Sequence, residues 1–203
     1  MYKDYSLLAA ALLVVGSLLL AATAGADSAP TTLRIDTDRS KISWVSEAPA
    51  EKILGTASDL QGQLRWDIDE PGSLEGKISF PVASMKTGNS MRDKHLQGKD
   101  WLNAKENPDI TFEIEGLSDI DRTEKDGRID ITATVQGKVT VNGQTAPNNA
   151  TVEISVLPDK NLVRAKPKLT VRLDDYKVEG RRGTVGKKVA KTIEIEGVLY
   201  GNW

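Results

Sequence analysis

The stretch "RIDITATVQGKVTVNG", Arg128–Gly143, decides the fold class. Ile129, Ile131, Ala133, Val135, Gly137, Val139 and Val141 alternate with Arg128, Asp130, Thr132, Thr134, Gln136, Lys138 and Thr140. Successive side chains of a strand point to opposite faces, so a period of two held this long predicts one long strand with a buried face. Asn142-Gly143 ends the run with two residues that tolerate positive φ, the signature of a tight hairpin turn.

Working outward, "NATVEISVL" returns from that turn with Val152, Ile154 and Val156 on one side, and Pro158-Asp159 turns the chain again. "VRAKPKLTVRL" and "KTIEIEGVLY" follow, with Leu169, Val171, Ile193 and Ile195 among their inward residues. Upstream, the same alternation places Leu64 and Trp66, then Ile78 and Phe80, then Phe112 and Ile114 on inward faces. "TLRIDTDRSKISWVS" holds one or two more strands, with Trp44 inward. The result is an all-β domain of about eight antiparallel strands joined mostly by short turns. Strands of this length favour a closed barrel over a sandwich. No internal repeat, low-complexity tract or linker divides the chain.

Gly62, Gly76, Gly137 and Gly197 fall on the apolar face, together with Ala133 and Ala165. Two readings stand side by side. The glycines mark bulges and bends that close the sheet, or they leave a hollow of the kind that holds one ligand in an eight-stranded barrel.

The N-terminus is set apart from the fold. Leu7 to Ala22 is an uncharged run, shorter than a membrane span of about 20 residues, and Ala24-Gly25-Ala26 fits a small-residue cleavage site. Residues 1–26 are expected to be a signal peptide and residues 27–203 the barrel domain; a retained N-terminal anchor is the alternative. The chain has no cysteine, so an exported form relies on its core and hydrogen bonds, without disulfides. Lys and Arg number 27 against 29 Asp and Glu, and aromatics make up 5%. That balance gives nucleic acid no electrostatic foothold and no stacking surface.

Catalytic and metal constellations are thin. A Ser-His-Asp set would have to combine Ser84 or Ser90 with Asp93 and His95, the single histidine. Ser90 and Asp93 read better as a capping pair at a helix start. One histidine and no cysteine leave no usual zinc set. "EGRRGTVGKK", residues 179–188, is a basic glycine-rich loop whose Arg181 and Arg182 could meet an anionic ligand or a lipid surface. "TGNSMRDKHLQGKDWLNAKENP" interrupts the strands with a short helix from Ser90 to Gly98, the latter as C′ residue. It is either a plug, with Leu96, Trp101 and Leu102 covering the core, or a rim that presents Arg92 and His95 to a polar ligand group.

The block "FPVASMKTGNSMRDKHLQGKDWLNAKENPDITFEIEGL" resembles the hallmark region of the YceI-like polyisoprenoid-binding family. The match runs through Thr87, Asn89, Arg92, Asp93, His95, Leu96, Asp100, Trp101, Leu102, Pro108, Ile110, Thr111 and Phe112. "GKVTVNGQT" and "VRLDDYKVEG" are similar to later family motifs, while loop 179–188 departs from them. The resemblance implies a lipocalin-like barrel with a long apolar tunnel. It implies non-enzymatic carriage or sequestration of an isoprenoid lipid, such as a polyprenyl phosphate or an isoprenoid quinone, with no other cofactor. The expected wall is Trp44, Leu64, Trp66, Ile78, Phe80, Phe112, Ile114, Ala133, Val135 and Ile154. The expected polar rim is Asn89, Arg92 and His95. The expected compartment is the periplasm or the exterior. A hydrolase or isomerase of such a lipid, or a structural envelope-stress protein without a fixed ligand, are the rival readings. Transient contact with a membrane surface and a homodimer both stay open.

Overall fold

The alternating stretch forms one unbroken strand, and the computed structural model, which describes residues 30–180 and 189–203, wraps the rest of the barrel around it. In chain order the strands are β1 (Thr31–Ile35), β2 (Lys41–Ala48), β3 (Glu51–Ala57), β4 (Gln61–Trp66), β5 (Glu75–Pro81) and β6 (Asp109–Lys125). They continue as β7 (Arg128–Val141), β8 (Gln144–Pro147), β9 (Ala150–Leu157), β10 (Leu162–Arg172) and β11 (Thr192–Asn202). One helix, α1 (Ser90–Leu96), lies between β5 and β6. The expected signal peptide, and Arg181 and Arg182 of the basic loop, lie outside the described residues.

These segments make eight antiparallel staves. β1 and β2 lie end to end along β11, β3 and β4 lie end to end along them, and β8 and β9 share one register on β7. With β5, β6, β7, β10 and β11 as the remaining staves, each pairs with the next in sequence, and β1 pairs with β11 to close the barrel. Closure satisfies strand edges that an open sheet would leave bare.

Side chains splice the broken staves. Between β1 and β2 the buried Ser40 hydroxyl accepts from Tyr200 N at 3.0 Å and donates to Tyr200 O at 3.3 Å, replacing lost ladder bonds. Thr37 Oγ1 donates to Leu60 O at 2.8 Å and ties that break to the one between β3 and β4. The hairpin turn reads as expected, since Asn142 (φ 49°) and Gly143 (φ 69°) both take the left-handed conformation. β3 has no clear alternation in sequence. Ile53 and Leu54 are adjacent, Leu54 points outward at 62% exposure, and the next inward positions are only Gly55 and Ala57.

The inward face divides by height. At the end where the β6–β7 and β9–β10 turns lie, Leu64, Trp66, Ile114, Ile131, Val135 and Val156 belong to one packed cluster. Trp66, 1% exposed, anchors it and donates its Nε1–H to Pro71 O at 3.1 Å. Gly62, Gly76 and Gly137 are close approaches, not voids, whereas Gly197 borders the cavity described below. A Cβ on Gly137 would collide with Glu113 O and lie 2.8 Å from the Phe112 ring. A Cβ on Gly62 would sit 2.6 Å from Lys77 O, one on Gly76 would strike Gln63 O, and one on Gly197 would sit 3.0 Å from the Pro167 ring. Of the two readings, the geometric requirement of the sheet accounts for Gly62, Gly76 and Gly137.

Candidate functional site: an apolar cavity under the helical insertion

At the other end β5 stops at Pro81, opposite Asp109, the first residue of β6. Proline ends the pairing because it has no N–H to donate. The chain then leaves the sheet as residues 82–108, and Val82 N donates to Pro108 O at 2.8 Å where the excursion begins and ends. Reciprocal 2.9 Å bonds between Thr56 and Lys86 keep its first part on β3.

A helix of seven residues is too short to persist alone, so its ends carry the fixing. Asn89, not Ser90, is the N-cap, and its Oδ1 accepts from Met91 N at 3.0 Å and Arg92 N at 3.1 Å. Asp93 reaches past Ser90 to Thr87, accepting from its N at 2.8 Å and its Oγ1 at 2.6 Å. Gly98 follows the helix without a positive φ, so the expected left-handed C′ residue is absent; Gly98 N donates to His95 O at 2.9 Å. The candidate triad is not assembled. Ser84 donates to Pro81 O at 2.8 Å, and Asp93 serves Thr87.

Beneath the helix the barrel encloses a cavity of ≈ 500 Å³, within the size range of small-molecule sites. Two tryptophans widen it by lying in its wall. Trp44 pairs across the sheet with Gly55, and its indole lies so close that a Cβ there would clash; Trp101 rests in the same way on Gly180. Both indole N–H groups are buried without a hydrogen-bond partner among the described residues. Such orphans typically cost about 1–3 kcal/mol each.

Of the expected site residues, Trp44, Ile78, Phe80, Phe112, Asn89, Arg92 and His95 line this cavity. Leu64, Trp66, Ile114, Ala133, Val135 and Ile154 do not: they sit in the packed cluster at the closed end. Alternation reveals which face a residue occupies but is silent about its height. Residues read as inward yet not assigned to the site, including Val139, Val141, Leu169, Ile193 and Ile195, also line it. Turns could have placed them, because the Asn142-Gly143 hairpin marks the same barrel end as the helical insertion. Leu96, Trp101 and Leu102 line the cavity beside Arg92 and His95, so the insertion is cover and rim at once.

Among the described residues, the rim holds a charged pair that the sequence did not reveal. Glu51, the first residue of β3, meets Arg92 at 3.0 Å, with side chains 30% and 32% exposed respectively. The contact joins the β2–β3 hairpin to α1 across the mouth.

The family model described as a YceI-like domain matches residues 33–199. The chain belongs to the YceI-like family. Protein YceI of Escherichia coli O157:H7 is 27% identical over 153 aligned residues, covering 72% of this chain and 74% of that protein. Among solved structures, BcnA of Burkholderia cenocepacia has a TM-score of 0.64 at 22% identity, covering 82% of this chain and 98% of that one. A polyisoprenoid binding domain from Saccharophagus degradans, implicated in plant cell wall breakdown, has a TM-score of 0.63 at 14% identity, covering 84% and 97%. At these identities the structural likenesses establish the YceI-like barrel alone.

Proposed function

We propose that this YceI-like protein binds an isoprenoid lipid in the cavity beneath α1 and carries or sequesters it without chemical change. The observation that carries the reading is an apolar space of ≈ 500 Å³ walled by Trp44, Phe80, Phe112, Leu169 and Ile195, with Glu51 and Arg92 paired at its mouth. Burying a hydrocarbon chain there contributes about 0.8 kcal/mol per CH₂ removed from water. The polyisoprenoid binding domain from Saccharophagus degradans, with the same fold, supports this ligand class. The cavity's tally of polar groups supports a carrier over a hydrolase or isomerase, since His95 has neither Asp93 nor Ser84 as a partner. The apolar run before Asp27 and the hydrophobic cargo support export to the periplasm or the exterior.

Native mass spectrometry of protein purified from its own envelope tests this. The expected spectrum shows a chain beginning at Asp27 with one bound lipid, released as an isoprenoid on activation. Protein that is lipid-free, and that also fails to quench its Trp44 fluorescence when titrated with isoprenoid quinones, would remove the reading.

A further inference from the structure

We propose that the face formed by α1 and the β2–β3 hairpin docks on an anionic lipid surface, with the cavity mouth turned toward the bilayer. The inference extends the carrier reading to the place where cargo changes hands, but it stands on separate observations.

Among the described residues the exposed large apolar side chains are Leu54 at 62%, Met91 at 66% and Ile120 at 39%. One exposed apolar residue needs no explanation. The placing of the first two does. Met91 lines the cavity and yet stands mostly in water, so it is an apolar lip shared by both. Leu54 follows the cavity residue Ile53 and lies on the outside of β3, opposite Val45 of β2. The 3.0 Å contact between Arg92 and Glu51 holds α1 against the start of β3, so Met91 and Leu54 flank the same mouth. Pro49 and Ala50, at the hairpin tip, are exposed and uncharged.

Charge is uneven in the same sense. Residues 82–108 hold Lys86, Arg92, Lys94, Lys99 and Lys105 against Asp93, Asp100 and Glu106, in a chain whose 29 acids outnumber its 27 Lys and Arg. The four lysines are exposed, while Asp93 accepts from Thr87. Lys94 lies three residues after Met91, on the same side of α1. A lysine beside an exposed apolar side chain suits a bilayer surface: the ammonium meets lipid phosphates while the apolar groups enter the headgroup layer. A hydrocarbon chain that passes directly from bilayer to cavity also avoids water, where every exposed CH₂ costs free energy. The other exposed apolar residue lacks this setting. Ile120 stands toward the packed end of the barrel, between the exposed Asp119 and Asp121.

The test measures flotation of the chain from Asp27 onward, which contains every described strand and α1. The vesicles are phosphatidylcholine alone, or phosphatidylcholine mixed with phosphatidylglycerol. Wild type should bind the mixed vesicles at low salt, roughly tenfold or more better than the neutral ones, and added salt should weaken the binding. Lys94→Gln combined with Lys99→Gln should lose roughly tenfold or more, at about fivefold per lysine near an anionic surface. Met91→Ser should lose roughly tenfold, the scale of one apolar side chain taken from water, and Leu54→Ser should weaken binding in the same direction. Ile120→Ser and Lys160→Gln, both toward the packed end, should bind as wild type does. Melting curves establish that each variant is folded.

Wild type that ignores the mixed vesicles overturns the inference, as do folded Met91 and lysine variants that float like wild type. A dimer in sedimentation velocity that Met91→Ser dissolves, in place of vesicle binding, assigns the patch to a second copy and overturns it too. The carrier reading is judged apart, by bound isoprenoid: protein that carries lipid without docking keeps that reading, and protein that docks but binds no isoprenoid loses that reading alone.

Discussion

Below Ile78 and Leu199 the barrel is filled by Trp66, Ile131, Val135, Ile154 and Val156; above them the same staves surround ≈ 500 Å³ of open space. Both ends have apolar residues alternating along continuous strands, so hydrophobic patterning does not separate them. Two local events do. β5 ends at Pro81 and hands its place to a helix, and the largest side chains of the upper end lie flat against Gly55 and Gly180 instead of filling the middle. A packed floor and a hollow top therefore come from the same periodicity, differing in where bulk is directed.

The largest test of this contrast is at the floor. Trp66→Ala should cost about 3–5 kcal/mol, as expected for a fully buried tryptophan, and it also strands the Pro71 carbonyl. Urea unfolding reads the loss; a cost under about 1 kcal/mol would mean that the lower end is not tightly packed.

A second comparison puts one bulky side chain into each environment. Gly137→Leu drives a side chain against Glu113 O and the Phe112 ring, so it should destabilise by about 3 kcal/mol, the upper part of the usual range for overpacking. Ile195→Phe adds bulk where there is space. It should cost less than about 1 kcal/mol and abolish co-purified lipid at a near-normal melting temperature. Equal destabilisation by the two substitutions would erase the distinction between solid and hollow regions.

The smallest effect lies on the outside of the floor. Asp130 accepts from Ser155 Oγ at 2.7 Å and Arg128 Nε at 2.9 Å, and these contacts, Ser155 first, lower its pKa below the ordinary carboxylate value. A depressed folded pKa contributes stability above the unfolded value, near 3.9, and that contribution disappears as pH falls through the folded value. Asp130→Asn should thus cost about 0.5 kcal/mol at pH 7, the scale of a solvent-exposed pair. The gap from wild type should close as pH falls below about 4. A gap that persists in acid would assign the cost to altered packing.

Much of the architecture was legible before the structure. β7 was plain from period two, and Asn142-Gly143 announced its turn. β3 was missed because Leu54 faces water and Gly55 and Ala57 carry little hydrophobic signal. The glycines were ambiguous for a physical reason: a small residue leaves the same mark whether it borders a void or admits a neighbouring ring. Six of the ten expected wall residues fell in the floor because alternation has no vertical coordinate. The Glu51–Arg92 contact was hidden by its 41-residue separation in sequence; only the folded hairpin and helix bring those side chains together.

The floor has a kinetic meaning of its own. Trp66, Leu74, Leu117, Ile129 and Val156 are buried together at the lower end, so a lipid carried as proposed would enter and depart on the side of α1. Filling and emptying are then the same path run in opposite directions, and residence time is set by a single barrier at that threshold. On that proposal a donor and a recipient could not be served from opposite ends at once. They must take turns at the same face of the molecule.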